Sequence, residues 1–297
     1  MRSFTAAFLS LSASALAQSS GSFNVLSFNV AGLPAILNNN DVPGDKTTNA
    51  KLIGQKLKAG GDGVSYDVVH MQEDFNYHSY IYAGATFAYR TATSGGVPFG
   101  SGLNTVANYP WTGLDRVKWD KCYINQGDCL TPKGFTFMRM QIAPGVEIDF
   151  YNLHADAGDE KADHDARASN FAQVGSYVAA HSADRPVMIF GDTNDRYTTA
   201  DESINSLRDG AGLRDAWVDL INGGVTPTKG TTANPCTSNP SPILTCEVVD
   251  KVLYRGNSSV KLTATSFEYA GKRFLQPDGN VLSDHDPLLV NIEWELV

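Results

Sequence analysis

Runs of apolar residues separated by turn-forming clusters set out an alternation of strands and helices along the chain. Residues 22–30 have the composition of a strand closed by Gly32-Leu33-Pro34, and helical spacing of Leu52, Ile53 and Leu57 predicts a helix over 46–57 that Gly60-Gly61-Asp62-Gly63 ends. A buried strand follows over 66–74. The stretch 80–123 is rich in glycine and aromatic residues, with one strand expected over 101–108; Phe87, Tyr89, Phe99, Tyr109, Trp111 and Trp119 read there as core and edge-strand residues, with a substrate groove or lipid surface as the other role. Two β-rich runs, 134–142 and 146–153, joined by Pro144-Gly145, predict a hairpin.

A helix is expected over 163–180, with Ala166, Phe171, Val174 and Val178 inward and His164 and Arg167 in solvent. It leads into Pro186-Val187-Met188-Ile189-Phe190-Gly191-Asp192, a strand apolar enough to be covered on both faces. Short helical pieces near Ser203 and over 213–220, a Pro- and Thr-rich loop over 226–242, and strands over 246–254, 260–269 and 288–294 complete the chain. Strand, helix, strand order of this kind is α/β grammar.

Composition narrows the class. Of 297 residues, 42% are hydrophobic and 19% charged, which suits a globular core. Residues 1–17 start basic, run apolar and end in Ala15-Leu16-Ala17, the pattern of a secretory leader cut before Gln18. Residues 18–297 are then expected to form a single domain, secreted to the extracellular space and working as a monomer. Four cysteines fit an oxidising destination; Cys122 with Cys129 and Cys236 with Cys246 are the expected local pairs. Asn257-Ser258-Ser259 is a glycosylation sequon. A formal net charge of -9 without a basic run disfavours tight nucleic-acid binding, although a divalent cation in an acidic cleft still draws in a phosphodiester.

The candidate chemistry lies at strand ends. Asn29, Glu73, His154, Asp192 with Asn194, Asp250, and Asp284-His285 each stand at or beside the end of an expected strand or before the next one. Sheet edges in α/β proteins are where ligands bind, so these groups can converge on one cleft. Leu26-Ser27-Phe28-Asn29, Gln72-Glu73, Asn152-Leu153-His154, Gly191-Asp192-Thr193-Asn194, Asp250-Lys251-Val252 and Ser283-Asp284-His285-Asp286-Pro287 resemble, in order and spacing, the motifs of the endonuclease/exonuclease/phosphatase superfamily. That superfamily has the deoxyribonuclease-I-like fold and includes sphingomyelinases.

The resemblance implies a four-layer α/β/β/α sandwich of two packed mixed sheets flanked by helices. It implies a metal-dependent phosphoesterase that hydrolyses a phosphodiester by water attack. Glu73 would be the main ligand of Mg²⁺ or Mn²⁺, with Asn29 and Asp284 nearby; hard oxygen donors suit these ions better than zinc. Asp192 and His285 would share the positioning and deprotonation of water, Asp250 would orient the His285 ring, and Asn194 would donate to phosphoryl oxygens. His154 would donate on the phosphate side, its charge favoured by the carboxylates around it. Lys133-Gly134 resembles the Lys-Gly of sphingomyelinase-like members and would place Lys133 against a lipid phosphate. Leu33-Pro34 and the acidic charge lean the same way, towards phospholipid or small phosphoester substrates and a membrane phospholipid surface. An extracellular endonuclease is the alternative, and a secreted binding protein of the same fold a third reading.

Overall fold

A computed structural model describes residues 18–58, 63–200 and 204–297. The expected leader, the glycine-rich stop at 60–62 and Ser203 lie outside the described residues. The first half of the chain forms β1 (Ser20–Asn29), α1 (Lys46–Leu57), β2 (Val68–Gln72), α2 (His78–Gly84), β3 (Tyr89–Arg90), β4 (Asn104–Ala107), β5 (Trp111–Lys118) and β6 (Gly134–Ala143). The second half forms β7 (Val146–His154), α3 (Lys161–His181), β8 (Val187–Asp192), α4 (Ile204–Gly210), β9 (Arg214–Asp215), α5 (Ala216–Leu220), β10 (Asp250–Arg255), β11 (Val260–Tyr269) and β12 (Leu288–Leu296).

These strands make two six-stranded mixed sheets, in the orders β11-β12-β1-β2-β4-β3 and β5-β6-β7-β8-β10-β9. Parallel pairs at the centre, β1 with β2 and β7 with β8, carry antiparallel neighbours. Side chains of β1 alternate between two cores. Phe23 and Val25 face a core shared with Met138, Phe150, Phe190 and Val290. Leu26 and Phe28 face a smaller one closed by Ile53 and Leu57 of α1 and Ile81 of α2. Helix α3 covers the other sheet with Phe171, Val174 and Val178. Helix, sheet, sheet and helix therefore stack as four layers, the architecture expected.

Strands covered on both faces read as near-continuous apolar runs, which is why β8 and, despite His70, β2 were legible. The hairpin of β6 and β7 turns at Pro144-Gly145, with Gly145 at φ +80°. Both local disulfides form. Arg167 corrects the expectation of solvation: it is 2% exposed, and its guanidinium donates to the carbonyls of Asp156 (3.0 Å) and Gly158 (2.6 Å), closing the loop after β7. Its charge suggested solvent, but helix periodicity places it on the same inward face as Phe171, Val174 and Val178. Asn257 closes the turn between β10 and β11. Its Nδ2 donates to Asp184 O at 2.7 Å, and its Oδ1 accepts from the Ser259 and Val260 amides.

Candidate active site

Every strand that contributes to the site meets the same edge of the sandwich. Asn29 is the last residue of β1, Glu73 follows β2, His154 ends β7, Asp192 ends β8, and Asp250 begins the antiparallel β10 directly opposite Asp192. His154 is paired in register with Asp192. Asp284 and His285 arrive on the loop before β12.

Buried Asp192 is the hub. Its Oδ2 receives the Asn29 amide at 3.0 Å and lies 3.3 Å from His154 Nε2 and 3.7 Å from His285 Nε2, while its Oδ1 accepts the Asn194 backbone N–H at 3.0 Å. On its far side the His285 ring is held through Nδ1, 2.8 Å from Asp250 Oδ2. Ligand atoms of Asp192, Asp250 and His285 all fall within 4.8 Å of one another.

Electrostatics separate the two histidines. Burial and the Lys133 ammonium pull His154 down to about 3 against the attraction of Asp192, so its ring is neutral. This corrects the expectation that the surrounding carboxylates would charge it; the ring is 1% exposed and the cost of stripping its water wins. For His285, burial again opposes the charge, but the facing carboxylates of Asp250 and Asp192 and the Asp250 hydrogen bond override it and raise it well above the ordinary histidine range. Burial alone would raise Asp192; the His154 and His285 rings, Lys133 and the Asn29 amide outweigh it and hold the carboxylate down at about 2. Burial raises Asp250.

Glu73 lies beyond Asn29 at the same edge. Burial and the charge of Asp284 raise its carboxyl. Its Oε1 accepts the Asn29 amide at 3.3 Å, and its buried Oε2 has no hydrogen-bond partner. An orphaned buried carboxylate oxygen beside a second carboxylate is a donor set that fits a hard divalent cation. Asn29 approaches Glu73 as a donor, because its Oδ1 accepts the Ala31 N–H at 3.1 Å. Exposed Asp284 accepts from the Asn40 amide at 3.1 Å. Asn194 donates its side-chain amide to Ala155 O at 3.1 Å. Lys133 pairs with buried Asp128, and its charge bears on Glu73, His154 and Asp192.

Gln72 and Asn152 stood in the sequence motifs without a role, and Lys46 was not singled out at all. Gln72 donates to Asn152 Oδ1 at 2.8 Å, and Asn152 donates in turn to Met71 O and Asn104 O, so a buried amide relay fastens the two sheets beside Glu73. Lys46 donates to Ala31 O, Asn38 O and Asn40 Oδ1 at 2.7–2.9 Å, anchoring the loop that reaches Asp284. One signal was available: a lysine in the first turn of a helix opposes the helix dipole and needs a local reason.

A sandwich of this topology, with carboxylates, amides and histidines gathered at one edge, places the protein in the deoxyribonuclease-I-like class. The chain belongs to the Endonuclease/Exonuclease/phosphatase family 2, which it matches over residues 24–239. It is 34% identical over 282 residues to a sphingomyelinase of Mycobacterium tuberculosis, covering 93% of this chain and 53% of the relative, so it spans about half the length of the curated relatives it matches. Among solved structures, sphingomyelinase C from Streptomyces griseocarneus superimposes with a TM-score of 0.59 at 18% identity, over 91% of this chain and 99% of that one. A Staphylococcus aureus beta toxin mutant with bound magnesium ions gives 0.61 at 17% identity, over 91% and 99%.

Proposed function

We propose that this protein is a secreted, divalent-metal-dependent phosphodiesterase that cleaves the headgroup bond of a phospholipid, in the manner of a sphingomyelinase or phospholipase C. The observation that carries the reading is the meeting of two differently charged histidines on one buried carboxylate, Asp192, beside the orphaned oxygen of Glu73. The 34% identity to a sphingomyelinase supports the lipid substrate.

Glu73 and Asp284, with Asn29 beside them, would hold Mg²⁺ or Mn²⁺, which supplies charge neutralisation at a phosphoryl oxygen. Asp192, kept ionised, accepts a proton from the attacking water. The His285 imidazolium, fixed by Asp250, stabilises the negative charge that develops on the phosphoryl group. His154, neutral and held by its place at the end of β7, offers one ring N–H to a phosphoryl oxygen. Lys133, drawn to the same edge through Asp128, adds a positive field.

A substrate panel tests the proposal: sphingomyelin and phosphatidylcholine vesicles, plasmid DNA, and bis(4-nitrophenyl) phosphate, each with Mg²⁺, Mn²⁺ or EDTA. Phosphorylated headgroup should be released from vesicles with either cation and not with EDTA. Degradation of DNA without headgroup release would replace the lipid reading by the nuclease one.

A further inference from the structure

An open cavity of about 310 Å³ adjoins the catalytic edge, walled on one side by Asp250, Asp284 and His285 and on the other by Arg196 and the loop from Cys236 to Ser241. Its walls are set in advance: the Cys236–Cys246 disulfide closes the loop, and Tyr197 N–H and Lys251 hold Glu247 beneath it at 2.9 and 3.1 Å. Preformed walls lower the ordering cost of binding.

Within this wall every carboxylate has a partner, cationic for Glu247 and Asp250 and neutral for Asp284 and Asp286. Glu247 is held as above, Asp250 by His285, Asp286 by the Ser241 N–H at 2.7 Å, and Asp284 by Asn40. Arg196, by contrast, makes no ion pair and no side-chain hydrogen bond among the described residues, and its Nε is buried without a partner. A guanidinium desolvated at one nitrogen and unpaired is a strong anion receptor, because it has already lost part of its water and offers a planar fork of donors. Exposed Thr237 and Ser238 bring hydroxyls to the same wall, and no Phe, Tyr or Trp lines it. A quaternary ammonium group is bound best over Trp, Tyr or Phe faces, and this cavity offers none of them.

In-line displacement decides which part of a substrate reaches the cavity. The leaving oxygen departs opposite the entering water. Water gives its proton to Asp192, and the cavity lies on that flank beside His285, so the leaving oxygen departs away from it and the cavity is open to a substituent that phosphorus keeps. Resting on the phosphodiesterase reading above, we infer that Arg196 forms a second anion subsite for the retained headgroup, and that the preferred headgroup is a polyol bearing a second phosphate.

Two measurements test this on the full chain. In mixed micelles with Mg²⁺, kcat/KM on phosphatidylglycerol phosphate should exceed that on phosphatidylglycerol by about tenfold or more, carried by KM, as a charge-assisted pair would give. Arg196→Ala should bring that ratio close to one, and Arg196→Lys should restore part of it. Independently of turnover, calorimetry should show glycerol bisphosphate binding about tenfold more tightly than glycerol monophosphate to the wild type, and the difference should vanish in Arg196→Ala. An equal ratio in the wild type, or one that Arg196→Ala leaves unchanged in both measurements, overturns the subsite. Loss of turnover on every phosphodiester, with the binding difference intact, would instead overturn the phosphodiesterase reading and leave the subsite standing.

Discussion

At the scale of single residues, the site works by giving chemically similar groups different environments. His154 and His285 both face Asp192, yet only His285 has a second carboxylate behind it. Replacing His285 by Ala should lower kcat by roughly a hundred- to a thousandfold, the usual worth of a preorganised group that stabilises charge in the transition state. Asp250→Asn keeps a partner on the ring and should cost less; equal losses would refute the orienting role given to Asp250. Glu73→Gln should reduce activity by roughly a hundredfold or more while leaving thermal stability unchanged or higher, since it removes a carboxylate that burial disfavours. A fall in Tm comparable to a core defect would show that Glu73 is structural.

A third histidine separates stability from catalysis. His70, fully buried, stacks on Phe190 with ring centroids 3.8 Å apart, and burial drives it down to about 3. The unfolded chain takes up its proton near pH 6.5 and the folded chain only near pH 3, so its contribution to stability is fully present above pH 6.5 and is lost as pH falls between those values. The slope is about 1.4 kcal/mol per pH unit. Denaturant midpoints measured from about pH 7 to pH 4 should fall more steeply in the wild type than in His70→Phe; parallel curves would discard the account. The polar residues at strand ends were legible in the sequence because each follows or precedes an apolar run. His70 lies inside such a run, so nothing in the pattern tells a stacked neutral ring from a ligand.

At the scale of elements, precision comes from close strand contact. Gly191 in β8 is opposite Leu153 of β7, and a Cβ there would lie 2.1 Å from Leu153 O and 2.9 Å from Leu153 N, both backbone atoms. Gly191→Ala must part the two strands that carry His154 and Asp192. It should cost about 2–4 kcal/mol of stability, and activity should fall further than unfolding explains, since a shift of about 1 Å at a reacting group costs about a hundredfold. Near-normal kcat in the folded variant would show that the register tolerates slack. Glu73 and Asn194 adopt φ of +55° and +49°, so two site residues sit in the left-handed region their side chains disfavour. Elements built on long apolar periodicity, such as β1, α1, β7, α3 and β8, could be read from the sequence. Strand β5 and helix α2 could not: β5 is largely exposed and carries no apolar face, and α2 has Ile81 as its one buried residue.

At the scale of the whole molecule, the catalytic edge is bordered by exposed apolar tips. Ile36 (93% exposed) and Leu37 lie in the turn after β1, in the loop whose Asn40 binds Asp284 and which Lys46 anchors. Phe99 (84% exposed) lies in the loop that returns to the Glu73 backbone, where Asp74 N–H donates to Gly102 O at 2.9 Å. Both tips spring from segments tied to Asp284 and to the Glu73 backbone, so a surface that buried them would bring its phosphates to those two carboxylates. Each large apolar side chain buried contributes about 1.5–3 kcal/mol, enough for three together to govern residence on a bilayer despite the net charge of -9. The combined variant Ile36→Ser, Leu37→Ser, Phe99→Ser should therefore lose about tenfold or more of its activity on phospholipid vesicles and of its sedimentation with them. Hydrolysis of soluble bis(4-nitrophenyl) phosphate should fall far less. If both activities decline together, these tips support the site's structure and the membrane is met elsewhere.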